Sequence, residues 1–269
     1  MITAATTLAA VIGSPVRHSR SPSIHNAAFA ALDLDWVYVA LEVAPGAGFD
    51  AVRALPTLGI AGVNVTMPHK ADAARACDEL TAAAAGLQSV NTVVVRADGT
   101  LLGDSTDGEG FLRSLADAGL DPRDESVLVL GAGGAARAVA AALVGRGARV
   151  SVAARRADAA SELAGRVSGV TVAEWPGDRP VDVGVVVNAT PIGMGEDRTT
   201  PVAPQSGQWV VDLVYHPSET PLLTRAKLVG AHPVGGIGML VHQAALSFER
   251  WTGRAAPLAV MRTAAIGAQ

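Results

Sequence analysis

The sequence predicts an α/β fold in two domains, from three observations. Short apolar runs of strand composition alternate with helical stretches along nearly the whole chain, which favours a largely parallel sheet. An apolar run ends in Gly131-Ala-Gly-Gly134 and opens a helix-forming stretch, the strand–turn–helix of a Rossmann unit. A late helical stretch carries Leu240, Ala244, Phe248 and Trp251 at spacings of four, four and three, an apolar stripe suited to packing back on the first domain.

Taken in order, strands are expected at Leu8–Ile12, Trp36–Val43 and Val63–Thr66, and helices at Ser23–Ala31 and Ala71–Ala85. Ser21 reads as an N-cap with Pro22 at the first helical position. Asp98-Gly99 reads as a two-residue hairpin turn between extended runs. Folding about it places Asn91 opposite Thr106 and Asp107 opposite Val90 in an unslipped register. The polar, turn-rich Asp121–Ser126 suits the start of a second domain. Strands follow at Val127–Leu130, Val150–Ala153, Val183–Asn188 and Val210–Leu213, with helices at Ala135–Gly145, Ala157–Arg166 and Pro221–Val229. There are no internal repeats or low-complexity tracts. The domains are expected at 1–107, completed by about 238–269, and at 108–237.

Composition narrows the class. The 269 residues are 49% hydrophobic and 17% charged, which excludes disorder from low hydrophobicity. Aromatics are 4%, so Ala, Val and Leu must build the core. A formal charge of −4 and a pI near 5.8 argue against nucleic acid as a partner. The single cysteine, Cys77, excludes an intrachain disulfide and reads as a small helix residue rather than a nucleophile. No apolar run is long enough to span a bilayer. The uncharged first sixteen residues lack the basic segment and cleavage site of a secretory signal, so a soluble, cytoplasmic protein with no membrane partner is expected. No His/Cys spacing suggests a metal.

The glycine turn carries the first chemistry. Gly131, Gly133 and Gly134 allow a tight turn and a close backbone approach to a pyrophosphate at a helix N-terminus. Ala136 at the third motif position lets helix and strand pack closely. An NAD site usually places an acid after the second strand; here stand Arg155 and Arg156, whose guanidinium forks suit the 2′-phosphate of NADP. A solvated arginine pair is the competing reading. Asp158 falls in the first turn of the next helix, complementing its dipole. Asn64-Val-Thr66-Met-Pro-His-Lys70 puts polar residues and a lysine at the C-terminal edge of a strand, where α/β proteins bind ligands.

Seven blocks occur in one order: Gly13-Ser-Pro-Val-Arg-His-Ser19-Arg-Ser21-Pro, Asn64-Val-Thr-Met-Pro-His-Lys70, Ser89-Val-Asn-Thr92, Gly103-Asp-Ser-Thr-Asp107-Gly, Gly131-Ala-Gly-Gly-Ala-Ala-Arg137, Asn188-Ala-Thr-Pro-Ile-Gly-Met194 and Gly238-Met-Leu-Val-His-Gln243-Ala. Together they closely resemble the shikimate dehydrogenase family, from near residue 8 to near residue 254. The resemblance implies an N-terminal α/β substrate domain, a Rossmann-type domain and NADPH-dependent reduction of 3-dehydroshikimate to shikimate in aromatic amino-acid biosynthesis. It further implies that Ser19 and Ser21 hold the substrate carboxylate, and that Asn64, Thr66, Asn91, Tyr215 and Gln243 line the ring and hydroxyl site. Lys70 and Asp107 match the catalytic pair, with Lys70 moving the proton. Gly131, Ala132, Gly133, Gly134 and Ala135 are implied to take the pyrophosphate, Arg155 and Arg156 the 2′-phosphate, and Thr190, Leu213 and Gly236 to border the cofactor. The family's Asn-Arg-Thr phosphate loop is here Ala154-Arg155-Arg156, and its Gly-Asp-Asn-Thr-Asp block carries Ser105. A catabolic quinate/shikimate dehydrogenase is disfavoured by Ser21 and Arg155, and a non-catalytic dinucleotide sensor by the presence of both Lys70 and Asp107. A monomer or homodimer is expected.

Overall fold

The chain begins with a strand because Leu8–Ile12 is an unbroken apolar run, and such runs end up covered on both faces. The structure, a computed structural model, describes residues 2–267. It divides into two units, one comprising the chain up to Thr106 together with Leu240 onward, the other Asp107–Met239.

The first unit contains β1 (Thr7–Gly13), α1 (Ser21–Ala31), β2 (Trp36–Glu42), α2 (Gly48–Arg53), β3 (Ile60–Val65), α3 (Lys70–Ala76), β4 (Glu79–Leu80), α4 (Ala82–Leu87), β5 (Thr92–Val95) and β6 (Leu101–Asp104). Its sheet runs β2-β1-β3-β5-β6-β4; β5 is antiparallel to both neighbours and the other pairs are parallel. Ala10, Ile12, Val63 and Val65 face Val52, Ala73 and Ala76 of the helices on one side. On the other side aromatic rings do the packing, including His25, Phe29, Tyr38, Phe248 and Trp251.

Two expectations are corrected here. The helix expected at Ala71–Ala85 is two short helices separated by β4. Cys77 leaves α3 with extended backbone, and the amide of Asp78 bonds the carbonyl of Leu101, so strand pairing takes over. The Cys77 thiol is half-buried and pushed up to about 12, by burial first and then by Asp78. The hairpin is shifted by one residue: Thr92 pairs with Asp104 and Val95 with Leu101. Its turn is a three-residue loop, Ala97-Asp98-Gly99, closed by Gly99 N–H to Arg96 O (2.9 Å), with Gly99 at φ +83°. A loop with an odd number of residues moves the register by one against a two-residue turn.

The second unit contains α5 (Asp107–Asp117), β7 (Ser126–Leu130), α6 (Gly134–Gly145), β8 (Arg149–Ala153), α7 (Ala157–Arg166), β9 (Val170–Val172), β10 (Val185–Asn188), β11 (Trp209–Asp212), α8 (Pro221–Leu228) and β12 (His232–Gly235). The six strands are all parallel, in the order β12-β11-β10-β7-β8-β9. This is the doubly wound arrangement, with its switch point at β7 and β10. Along β7 the side chains alternate. Val127 and Val129 join a core with Val139, Leu143 and Leu163, while Leu128 and Leu130 join one with Val202, Leu222 and Ala226. The turn-rich Asp121–Ser126 lies inside this unit, between α5 and β7, and does not start it. The chain then continues through α9 (Ile237–Thr252) and α10 (Leu258–Gly267), and α10 packs against α1 in the first unit.

Candidate active site

In the first unit, β1 and β3 are parallel neighbours, with Ile12 beside Val65. The segments leaving their C-terminal ends carry Ser19 and Ser21, and Thr66 and Lys70. The fold therefore brings these four to one edge of the sheet, where the ends of parallel strands leave ligands room. Ser21 is not the N-cap. Arg20 occupies that position with backbone angles already helical, so Ser21 is the first helical residue. Its amide donates to the Ser19 hydroxyl (3.3 Å). Lys70 opens α3, and its carbonyl accepts from the amide of Val90 (3.0 Å). The preceding His69 is fully buried; Nε2 donates to the carbonyl of Val43 (2.8 Å) and Nδ1 faces Asp72 at 3.8 Å. The root of Lys70 is thus fixed on two sides.

Behind this edge lies a buried polar network. The Tyr38 hydroxyl donates to Asn64 Oδ1 (2.7 Å), and Asn64 Nδ2 donates to Asn91 O (3.1 Å), Thr92 Oγ1 (3.2 Å) and Ser247 Oγ (2.9 Å). Asn91 Oδ1 accepts from the amide of Thr106 (2.8 Å), and Asn91 Nδ2 donates to Thr106 Oγ1 (2.9 Å). Asn91 and Thr106, expected opposite one another, thus meet through the Asn91 side chain although the register is shifted. Thr106 Oγ1 donates to the carbonyl of Gln243 (3.2 Å), while Gln243 Nε2 donates to Leu240 O (2.7 Å). Three expected contact residues, Asn64, Asn91 and Gln243, are joined in one network. Tyr38, Thr92, Thr106 and Ser247 complete it and were not among the expected contact residues. Three had a local signal: Thr92 follows Asn91, Thr106 precedes Asp107, and Ser247 lies one helical turn after Gln243.

In the second unit, Asp107 is buried as the first residue of α5, and Tyr215 is half-buried two residues past Leu213. Gly131 has φ +115°, and a Cβ there would stand 2.8 Å from the carbonyl oxygen of Ala189 and 3.2 Å from the Thr190 methyl. The turn therefore demands glycine, and Gly131 and Thr190 adjoin. Gly133 faces open space, which leaves the N-terminus of α6 free for a phosphate. A Cβ at Gly236 would collide with the carbonyl oxygen of Leu213, so these two also adjoin. Arg155 and Arg156 are exposed directly after β8, and neither guanidinium is engaged by an acidic side chain among the described residues. The glycine cradle and two unengaged guanidinium groups fit a phosphorylated dinucleotide.

Asp212, fully buried, organises the loops on this side. Its Oδ1 accepts from Asn188 Nδ2 (2.9 Å) and the Val214 amide (3.1 Å), and its Oδ2 from Thr220 Oγ1 (2.6 Å). Asn188 in turn accepts from Thr190 Oγ1 (2.6 Å). Burial outweighs these donors and raises the carboxyl to about 6. The native state therefore keeps this proton longer than the unfolded chain. Its contribution to stability is present below about pH 4 and is lost as pH rises through about 6. Two units correspond to about 3 kcal/mol. Asp212→Asn cannot ionise, so its urea midpoint should gain on that of wild type between pH 4 and pH 7. A midpoint difference independent of pH would refute the ionisation of Asp212.

Among the described residues, no group of three or more His, Cys, Asp or Glu is placed to hold a metal, and no helix is long and apolar enough to cross a membrane.

A doubly wound parallel sheet with a glycine-rich first turn, joined to a second α/β unit with polar side chains along a strand edge, defines a dinucleotide-dependent dehydrogenase class. Family models match three parts of the chain: "Shikimate dehydrogenase substrate binding domain" at residues 11–93, "Shikimate / quinate 5-dehydrogenase" at 114–177 and "Shikimate 5'-dehydrogenase C-terminal domain" at 236–266. The shikimate dehydrogenase (NADP(+)) of Moorella thermoacetica is 44% identical, over 97% of this chain and 92% of that one. A shikimate dehydrogenase solved with NADP+ superposes with a TM-score of 0.93 at 37% identity, covering 99% of this chain and 96% of that one. The enzyme from Thermus thermophilus, solved with NADP(H) and shikimate, gives 0.90 at 35% identity, covering 98% and 100%. The chain belongs to the shikimate dehydrogenase family.

Proposed function

We propose that this protein catalyses the reversible, NADP-dependent interconversion of shikimate and 3-dehydroshikimate, the reductive direction serving aromatic amino-acid biosynthesis. The observation that carries the reading is the sheet edge of the first unit. There the Ser19 and Ser21 hydroxyls and the Lys70 amine leave adjacent parallel strands beside the Asn64–Asn91 network. Small hydroxyl donors suit a carboxylate, and amide groups suit ring hydroxyls. Ser19 and Ser21 hold the carboxylate; Asn64, Thr66, Asn91, Tyr215 and Gln243 line the ring.

Gly131 to Ala135 take the pyrophosphate, Arg155 and Arg156 the 2′-phosphate, and Thr190, Leu213 and Gly236 border the dinucleotide, which when bound exchanges a hydride with the substrate carbon. Lys70 and Asp107 are the catalytic pair. In reduction, negative charge grows on the carbonyl oxygen as the carbon accepts hydride, and the Lys70 ammonium gives that oxygen a proton. In oxidation the neutral amine takes the hydroxyl proton.

The test is a 340 nm assay of NADP reduction by shikimate, with NAD and quinate as comparisons; no turnover of shikimate with either cofactor would refute the reading. Arg155→Ala/Arg156→Ala should raise KM for NADP by roughly 10- to 100-fold, the size of a lost charged hydrogen bond, and leave KM for NAD unchanged. An equal loss with both cofactors would make the pair structural.

A further inference from the structure

We propose that Tyr38 is a positioning residue for substrate recognition, acting through Asn64; the proposal rests on the assignment of Asn64 as a substrate contact. Tyr38 sits on β2, two strands from Asn64 on β3, and is 1% exposed. The phenol donates to Asn64 Oδ1 at 2.7 Å.

The phenol is itself held firmly. Asn26, projecting from α1, clamps its backbone, with Nδ2 donating to Tyr38 O (2.9 Å) and Oδ1 accepting from Tyr38 N (2.8 Å). The ring stacks on His25 at 4.4 Å and lies 5.9 Å from the Trp251 ring.

The chemical consequence concerns which way the carboxamide points. An asparagine offers an oxygen or an NH₂ group, and the two are nearly the same shape. The Asn91 carbonyl can only accept and so takes the NH₂ side, and the Tyr38 phenol, donating to Oδ1, holds the oxygen on the other. The NH₂ group is then directed at three acceptors, Asn91 O, Thr92 Oγ1 and Ser247 Oγ. With its amide hydrogens so engaged, Asn64 meets a ring hydroxyl through the remaining lone pair of Oδ1, as an acceptor. Without the phenol the Asn91 carbonyl still holds the NH₂ group, but Asn64 Oδ1 loses the donor that fixes it and the carboxamide is held from one side only.

Tyr38→Phe keeps the ring and its stacking and deletes one hydroxyl. It should raise KM for shikimate about five- to tenfold, the size of one buried hydrogen bond, with kcat within about twofold and KM for NADP unchanged. In an Asn64→Ala background the same substitution should leave KM for shikimate unaltered. Urea midpoints of all variants report the fold separately. An unchanged shikimate KM, an equal rise for both substrates, or a full effect in the Asn64→Ala background would overturn the role of Tyr38. A wild-type enzyme that does not turn over shikimate would instead overturn the assignment on which it rests.

Discussion

Lys70→Ala should lower the turnover number with shikimate by roughly 10²- to 10⁴-fold, the range that a positioned proton donor contributes. The ketone oxygen must gain a proton as its carbon gains hydride, and alanine has none to give. Binding should suffer much less, because Ser19 and Ser21 remain to hold the carboxylate. Asp107→Asn should also cut turnover, since an amide cannot replace the carboxylate of the pair. If the two act as one unit, the double variant will be little worse than the poorer single variant. The competing view makes Lys70 a binding residue only; the alanine variant would then show a raised KM and an intact kcat. Steady-state kinetics on the three variants separates the two, and an unchanged kcat for Lys70→Ala would refute its catalytic assignment. The structure gives the amine a rigid root, through buried His69 on Val43 O and through Val90 on the Lys70 carbonyl. A root that cannot move is what a near-attack geometry requires.

What was legible in the sequence was what local chemistry decides. The turn at Gly131 could be recognised because the positive φ of a tight strand-to-helix turn is a local demand for glycine, which the distant carbonyl of Ala189 only reinforces. The apolar run before it announced a strand for the same reason. Features set by partners distant in sequence were not legible. Asn64 could be singled out from its place at a strand end. The groups that orient it, Tyr38 and Ser247, are separated from it by 26 and 183 positions. The break at Cys77 was hidden because Ala71–Ala85 is rich in helix formers, and only pairing with β6 makes Glu79 and Leu80 extended. The short α2, β9 and β12 lack enough residues to show a period, and α5 and α10 were not separated from their surroundings. The register of the hairpin depended on one loop residue, which dipeptide preference alone does not count.

The second large effect concerns stability in acid, and it comes from His25. This imidazole is completely buried between Tyr38 at 4.4 Å, Trp251 at 5.2 Å and Phe29 at 6.2 Å. Neither ring nitrogen has a partner of good hydrogen-bond geometry, and Asn64 offsets only part of the burial, which lowers the group to about 3. The unfolded chain takes up this proton near pH 6.5, whereas the native state refuses it until about pH 3. Stability from His25 is therefore complete above pH 6.5 and falls as pH drops through that window. Linkage over these limits gives a loss of about 2 kcal/mol by pH 5 and about 4 kcal/mol by pH 3, against a total of roughly 5–15 kcal/mol for an ordinary domain. A single buried histidine thus removes a substantial share of the stability as the pH falls toward 3. His25→Phe keeps a flat ring with nothing to protonate, and His25→Leu is a smaller apolar substitute should Phe overpack the site. Either variant carries a constant packing cost. That cost shifts the urea midpoint equally at every pH. The midpoint difference from wild type should therefore be flat from pH 8 to pH 7 and then move in the variant's favour down to pH 4.5. A difference that stays flat to pH 4.5 would mean that buried His25 accepts its proton as readily as it does in water, and the acid sensitivity of the fold would have to arise elsewhere.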